Sequence, residues 1–104
     1  MKVKTRELEG AALDWVVTKL EAERKRFTIY PEYISRHSTV WADGGPIIER
    51  ERIEVRPYDK KKWIATDNLT NHTIGPTPLI AAMRCYVASK LDDEVDVPDE
   101  LTTN

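Results

Sequence analysis

The chain is poor in the residues on which metal, disulfide and membrane chemistry depend. A single cysteine excludes a disulfide framework and a cysteine-rich zinc site. Its two histidines, His37 and His72, are far apart, with no further His or Cys at ligand spacing. Metal binding needs three or four convergent ligands, so no metal and no cofactor is expected. No apolar run approaches the ~20 residues that cross a bilayer. The opening MKVKTREL lacks the apolar core of a signal peptide. There is no repeat, no low-complexity stretch and no Gly/Ser linker, and 104 residues make one domain spanning 1–104. The net charge of −2 excludes both a strongly basic nucleic-acid binder and a polyacidic mimic of DNA. What is there is charge of both signs, 33% of the chain against 40% hydrophobic, as in a soluble globular domain.

The small net charge hides a gradient. Residues 1–63 sum to +3 and residues 64–104 to −5. The acidic excess lies in DDEVDVPDE, so residues from about 93 to 104 read as an acidic C-terminal segment whose end frays. A solvated tail is the plain reading, and a docking tail for a basic partner the functional one.

Leu8, Ala12, Trp15, Val16 and Leu20 recur at helical spacing and predict an amphipathic helix over about 8–22, with Thr5 as its cap. Asp14, Thr18, Glu21 and Lys25 form its expected solvent face. Phe27–Tyr30 reads as a short strand. Gly44 and Gly45 read as a turn of unusual backbone angles, with Pro46 opening a short central helix. From Ile53 the period becomes two, and Lys61–Thr66 is also strand-like. Pro57–Lys60 supplies the turn of a β-hairpin with Lys60, Lys61 and Lys62 at its tip. Asn68–Pro76 reads as a loop. Thr77 and Pro78 then open a helix running to Leu91.

That last helix is apolar nearly all round. Leu79, Ile80, Met83, Val87 and Leu91 make one stripe, and Ala81, Ala82, Cys85, Ala88 and Ser89 make a small-residue face. Such a helix needs cover on more than one side. Either the cover comes from within the monomer, the preferred reading, or the face forms a homodimer contact. Ala81, Arg84, Cys85, Ala88 and Ser89, with Trp41, are therefore the candidate interaction surface.

The strings ALDW (Ala12–Trp15), GGPIIERE (Gly44–Glu51) and GPTPLIAAMRCYVASKL (Gly75–Leu91), followed by VPDEL, resemble the NinX-like family of small tailed-phage and prophage proteins. The resemblance covers nearly the whole chain. It implies a phage or prophage origin, an α/β sandwich-like phage domain and a life in the bacterial host cytoplasm. It brings no catalytic or binding residue with it. The family's YSTDWAQ before GGPI is here HSTVWAD, with His37 and Val40 replacing a tyrosine and an acid. At the exit of the last helix, Asp92 stands where glycine is common.

The fold expected is α+β, a small layered α/β sandwich of helix 1, a short central helix, an antiparallel β-hairpin or sheet and a buried C-terminal helix. Trp15, Leu20, Met83 and Val87 would pack on a sheet face bearing Ile53, Val55 and Trp63. No active-site constellation emerges. Cys85 sits among alanines without a motif that would activate it, and the Gly-Gly turn lacks a phosphate-binding signature. A non-enzymatic accessory protein that binds a phage or host protein is the leading reading. The alternative is a nucleic-acid-associated factor using Arg24, Lys25, Arg26, Lys60, Lys61 and Lys62 with nearby aromatics. Interleaved acids make nucleic acid the less favoured partner. A small enzyme using Cys85 or a histidine comes third.

Overall fold

A computed structural model describes residues 1–26, 34–68 and 70–102. The strand expected over Phe27–Tyr30 lies outside these residues. The described residues form strands β1 (Lys2–Lys4), β2 (Glu54–Pro57), β3 (Trp63–Thr66), β4 (His72–Gly75) and β5 (Glu94–Asp96). Helices α1 (Gly10–Lys25), α2 (Trp41–Glu51) and α3 (Pro78–Lys90) complete the α+β fold, with 3-10 turns at Thr5–Glu7 and Asp99–Leu101.

The sheet β2-β3-β4 is antiparallel throughout. The hairpin forms where Pro57–Lys60 predicts it. Asp59 Oδ1 accepts the backbone N–H groups of Lys61 and Lys62, and Pro57 pairs with Trp63. The expected loop over Asn68–Pro76 is instead largely strand β4, whose short Thr-Ile run lies between turn-forming residues. Its alternation turns Thr73 inward and His72 and Ile74 outward. Thr73 donates to the Ala81 carbonyl at 2.7 Å, which ties the sheet's inner face to α3.

Helix α3 matches its predicted span. Thr77 caps it by accepting the Ile80 N–H at 3.1 Å. Met83 and Val87 are fully buried and Ile53 is buried, whereas Trp15, Leu20, Val55 and Trp63 pack on the core only half-buried. The chain leaves α3 at Leu91 in extended conformation, so Asp92 needs no left-handed geometry, and the missing glycine costs nothing.

Three further expectations need correction. Helix α1 begins at Gly10 in the left-handed region (φ +56°), with Glu9 before it, and Thr5 belongs to the preceding 3-10 turn. Its supposed solvent face is buried at Asp14, Thr18 and Glu21, because other parts of the chain use those polar groups as partners. In α2, Gly44, Gly45 and Pro46 lie inside the helix and none has a positive φ. Gly44 is needed for space, since a Cβ there would fall on the His37 carbonyl and 2.6 Å from a Leu79 methyl.

The acidic segment is also not a free tail. Glu94–Asp96 pairs antiparallel with Lys2–Lys4, and the Val97 N–H donates to Met1 O at 2.9 Å. Two lysine–acid pairs, Lys2 with Asp96 and Lys4 with Glu94, face each other across this ribbon, which holds the acidic run at the basic start of the chain. Leu101 packs against the core, and Thr103 and Asn104 lie outside the described residues.

Candidate functional site

The ends of the three helices meet in a polar cluster. Glu21 of α1 receives a two-pronged hydrogen bond from Arg50 of α2, at 2.9 and 2.8 Å. Tyr86 of α3 donates its hydroxyl to the same carboxylate at 2.7 Å. Arg50 also donates to Glu51 at 2.8 Å, and Lys90 reaches Glu51 at 3.2 Å. The Arg50 guanidinium and the Lys90 ammonium both lie over the Tyr86 ring, at 5.6 and 5.8 Å.

The electrostatics follow from this geometry. Burial pushes the Glu21 carboxyl up, but the Arg50 and Tyr86 hydrogen bonds and the arginine charges outweigh it and hold it at about 2. Burial and the adjacent Glu21 carboxylate push the Tyr86 phenol up. These shifts keep Glu21 charged and Tyr86 neutral near neutral pH. The cluster fastens three helices through one shared carboxylate. Sequence periodicity missed it, since Glu21 reads as solvated until α2 is folded against it.

A second polar cluster holds residues 35–38. Asp14 Oδ1 accepts the Ser38 N–H at 2.9 Å, Thr18 Oγ1 the Ser35 N–H at 3.3 Å, and Asp43 Oδ2 the Arg36 N–H at 3.1 Å. His37 is buried between these helices, which drives its pKa down despite the nearby Asp14 and Asp43 charges. His37 Nδ1 and Ser38 Oγ are the buried side-chain polar atoms that lack a partner among the described residues.

The predicted interaction surface divides. Ala81 and Cys85 are 0% exposed, covered from within by β3 and β4, so they form no surface and the homodimer contact loses its basis there. Ala88 and Ser89 are half-buried. Arg84 is half-buried too, its guanidinium donating to the Leu8 and Ile74 carbonyls at 2.7 and 2.8 Å. Arg6 donates to the His72 carbonyl as well, so two arginines cap the outer edge of β4. Trp41 alone of the six is exposed, at 56%. Burial pushes the Cys85 thiol up to about 11, helped by the Asp67 charge, which is the opposite of nucleophile activation. His72 lies on the outer side of the sheet, away from it.

The basic residues are not gathered into one face. Lys60, Lys61 and Lys62 are exposed at the tip beside Trp63 and Gly75, the strand end that leads into α3. Arg24, Lys25 and Arg26 follow Glu21, which meets the far part of α3 at Tyr86. Arg24 approaches Glu21 at 3.5 Å, and Arg26 closes α1 in the left-handed conformation. The three residues therefore complement the negative end of a helix. Among the described residues no group of three or more His, Cys, Asp or Glu gathers as a metal site, and no helix is long and apolar enough to cross a membrane.

No curated protein matches the chain. A family model described as "Bacteriophage P22, NinX" matches residues 4–90. The match runs from the end of β1 through the last residue of α3, and so takes in Trp41, both polar clusters and the whole three-stranded sheet. Covering far more than half of the sequence, it shows that the chain belongs to the phage NinX family.

Proposed function

We propose that this phage protein is a non-enzymatic accessory factor that works in the host cytoplasm by binding another protein, of host or phage origin. The observation that carries the reading is Trp41. Its side chain is 56% exposed at the first turn of α2, on a backbone fixed by the close approach of Gly44 to His37 and Leu79. A large aromatic held in water on a rigid element is the residue type that dominates protein interfaces. The separation of the two lysine and arginine groups gives nucleic acid less support, because phosphate binding depends on concentrated positive charge.

A photo-crosslinking amino acid at position 41, introduced in infected cells, tests this directly. One predominant protein adduct is expected, absent when the same group replaces the exposed Lys19. Equal labelling from both positions overturns the proposal. Trp41→Ala should leave the fold unchanged and lose the partner in a pull-down.

A further inference from the structure

The three helices start at the same end of the molecule. Ala12 of α1 and Ile80 of α3 border one groove, Gly44 of α2 abuts Leu79, and Glu21, Arg50 and Tyr86 meet at the opposite end. The start of α3 is capped by Thr77. The start of α1 is not, because Glu9 is extended and provides no side-chain cap. The first N–H taken up is that of Leu13, by Glu9 O at 3.3 Å. The N–H groups of Gly10, Ala11 and Ala12 therefore have no protein acceptor among the described residues.

A groove of about 610 Å³ opens at this turn. Leu8, Ile80 and Leu101 give it an apolar floor. Ser38 lines it as well, and the hydroxyl of this side chain, only 2% exposed, has no hydrogen-bond partner among the described residues. A buried hydroxyl left unpaired is destabilising until something supplies its partner. Glu7 and Glu9, both exposed, bring carboxylates to the rim.

We propose that the groove receives an apolar side chain of the partner protein, presented beside one of the partner's backbone carbonyls and flanked by Lys or Arg. The proposal rests on the partner-binding reading above and gives that partner a chemistry. The floor takes the side chain, the free N–H groups of α1 take the carbonyl, and Ser38 supplies one further hydrogen bond. A helix start by itself attracts anions. Here Glu9, with Glu7 partly offset by Lys4 at 4.0 Å, opposes an acidic ligand and favours a basic one.

The test is amide NMR of the full chain titrated with acetyl-Lys-Leu-Lys-amide. Saturable shifts at Gly10, Ala11, Ala12 and Ser38 are expected, with a Kd of about 1 mM for so small a fragment. Acetyl-Glu-Leu-Glu-amide and acetyl-Lys-Ser-Lys-amide should bind at least about fivefold more weakly. Ala11→Trp, a change at an exposed site, should fill the groove and abolish the shifts. No saturable shift up to about 10 mM, equal binding of the acidic peptide, or unchanged shifts in Ala11→Trp overturns the proposal. If Ala11→Trp still crosslinks through position 41 in cells, the groove is rejected while partner binding stands.

Discussion

Glu21 shows how much a single carboxylate organises when it is buried beside the right donors. One side chain on α1 accepts from Arg50 on α2 and from Tyr86 on α3, so three elements share one acceptor. With its pKa drawn from 4.5 to about 2, Glu21 contributes stability that is complete above pH 4.5 and is lost as pH falls through 2. Urea midpoints measured across that range should drop in the native protein and drop much less in Glu21→Gln. Glu51, lowered in the same direction, leaves a residual slope. Tyr86→Phe removes the bond donated to Glu21 and the longer one accepted from Arg50 at 3.3 Å, and should cost about 1.5–3 kcal/mol by equilibrium unfolding. Cys85 is governed by the same burial with the opposite consequence. Its thiol, pushed up to about 11, should react with a thiol reagent at pH 8 only at the rate of unfolding, and a rapid reaction would contradict the packing.

At the scale of elements, α2 breaks the most sequence rules and explains the most. Its N-cap is Val40, whose backbone is in the β region suited to capping but whose side chain makes no cap bond. Val40→Asp supplies a capping carboxylate at this position and should stabilise the protein by about 0.5–2 kcal/mol in chemical denaturation. Gly44→Ala should cost about 1–3 kcal/mol, since a methyl would have to displace the His37 carbonyl or Leu79. The hairpin and α3 were legible because local chemistry decides them, Asp59 at the turn and Thr77 at the cap. The strand β4 was not, because four residues between turn formers carry no period until β3 pairs with them. The buried face of α1 was illegible for a related reason. Asp14, Thr18 and Glu21 look solvated in sequence, and only the folded neighbours supply the N–H, guanidinium and hydroxyl groups that allow their burial. For the candidate site, Trp41 was legible as a member of the candidate interaction surface, whereas the groove at Gly10 depends on Ile80 and Leu101 arriving from distant segments.

At the scale of the whole molecule, the ribbon of β1 and β5 couples the two ends of the described chain, with Lys2 opposite Asp96. It also joins the basic first part of the sequence to the acidic last part, so the charge gradient becomes a local attraction. The two strands have few apolar groups to bury, chiefly Val3 against Val95. Bringing such distant segments together is entropically costly for an open chain, and little burial rewards it before the rest has folded. The ribbon should therefore zip up after the transition state, acting as a clasp on an already assembled body. In stopped-flow measurements Val95→Ala would then accelerate unfolding and leave the refolding rate nearly unchanged. A matching slowdown of refolding would place the clasp in the nucleus instead. On this view the acidic segment sets how long the native state lasts, while the helices and sheet set how quickly it is reached.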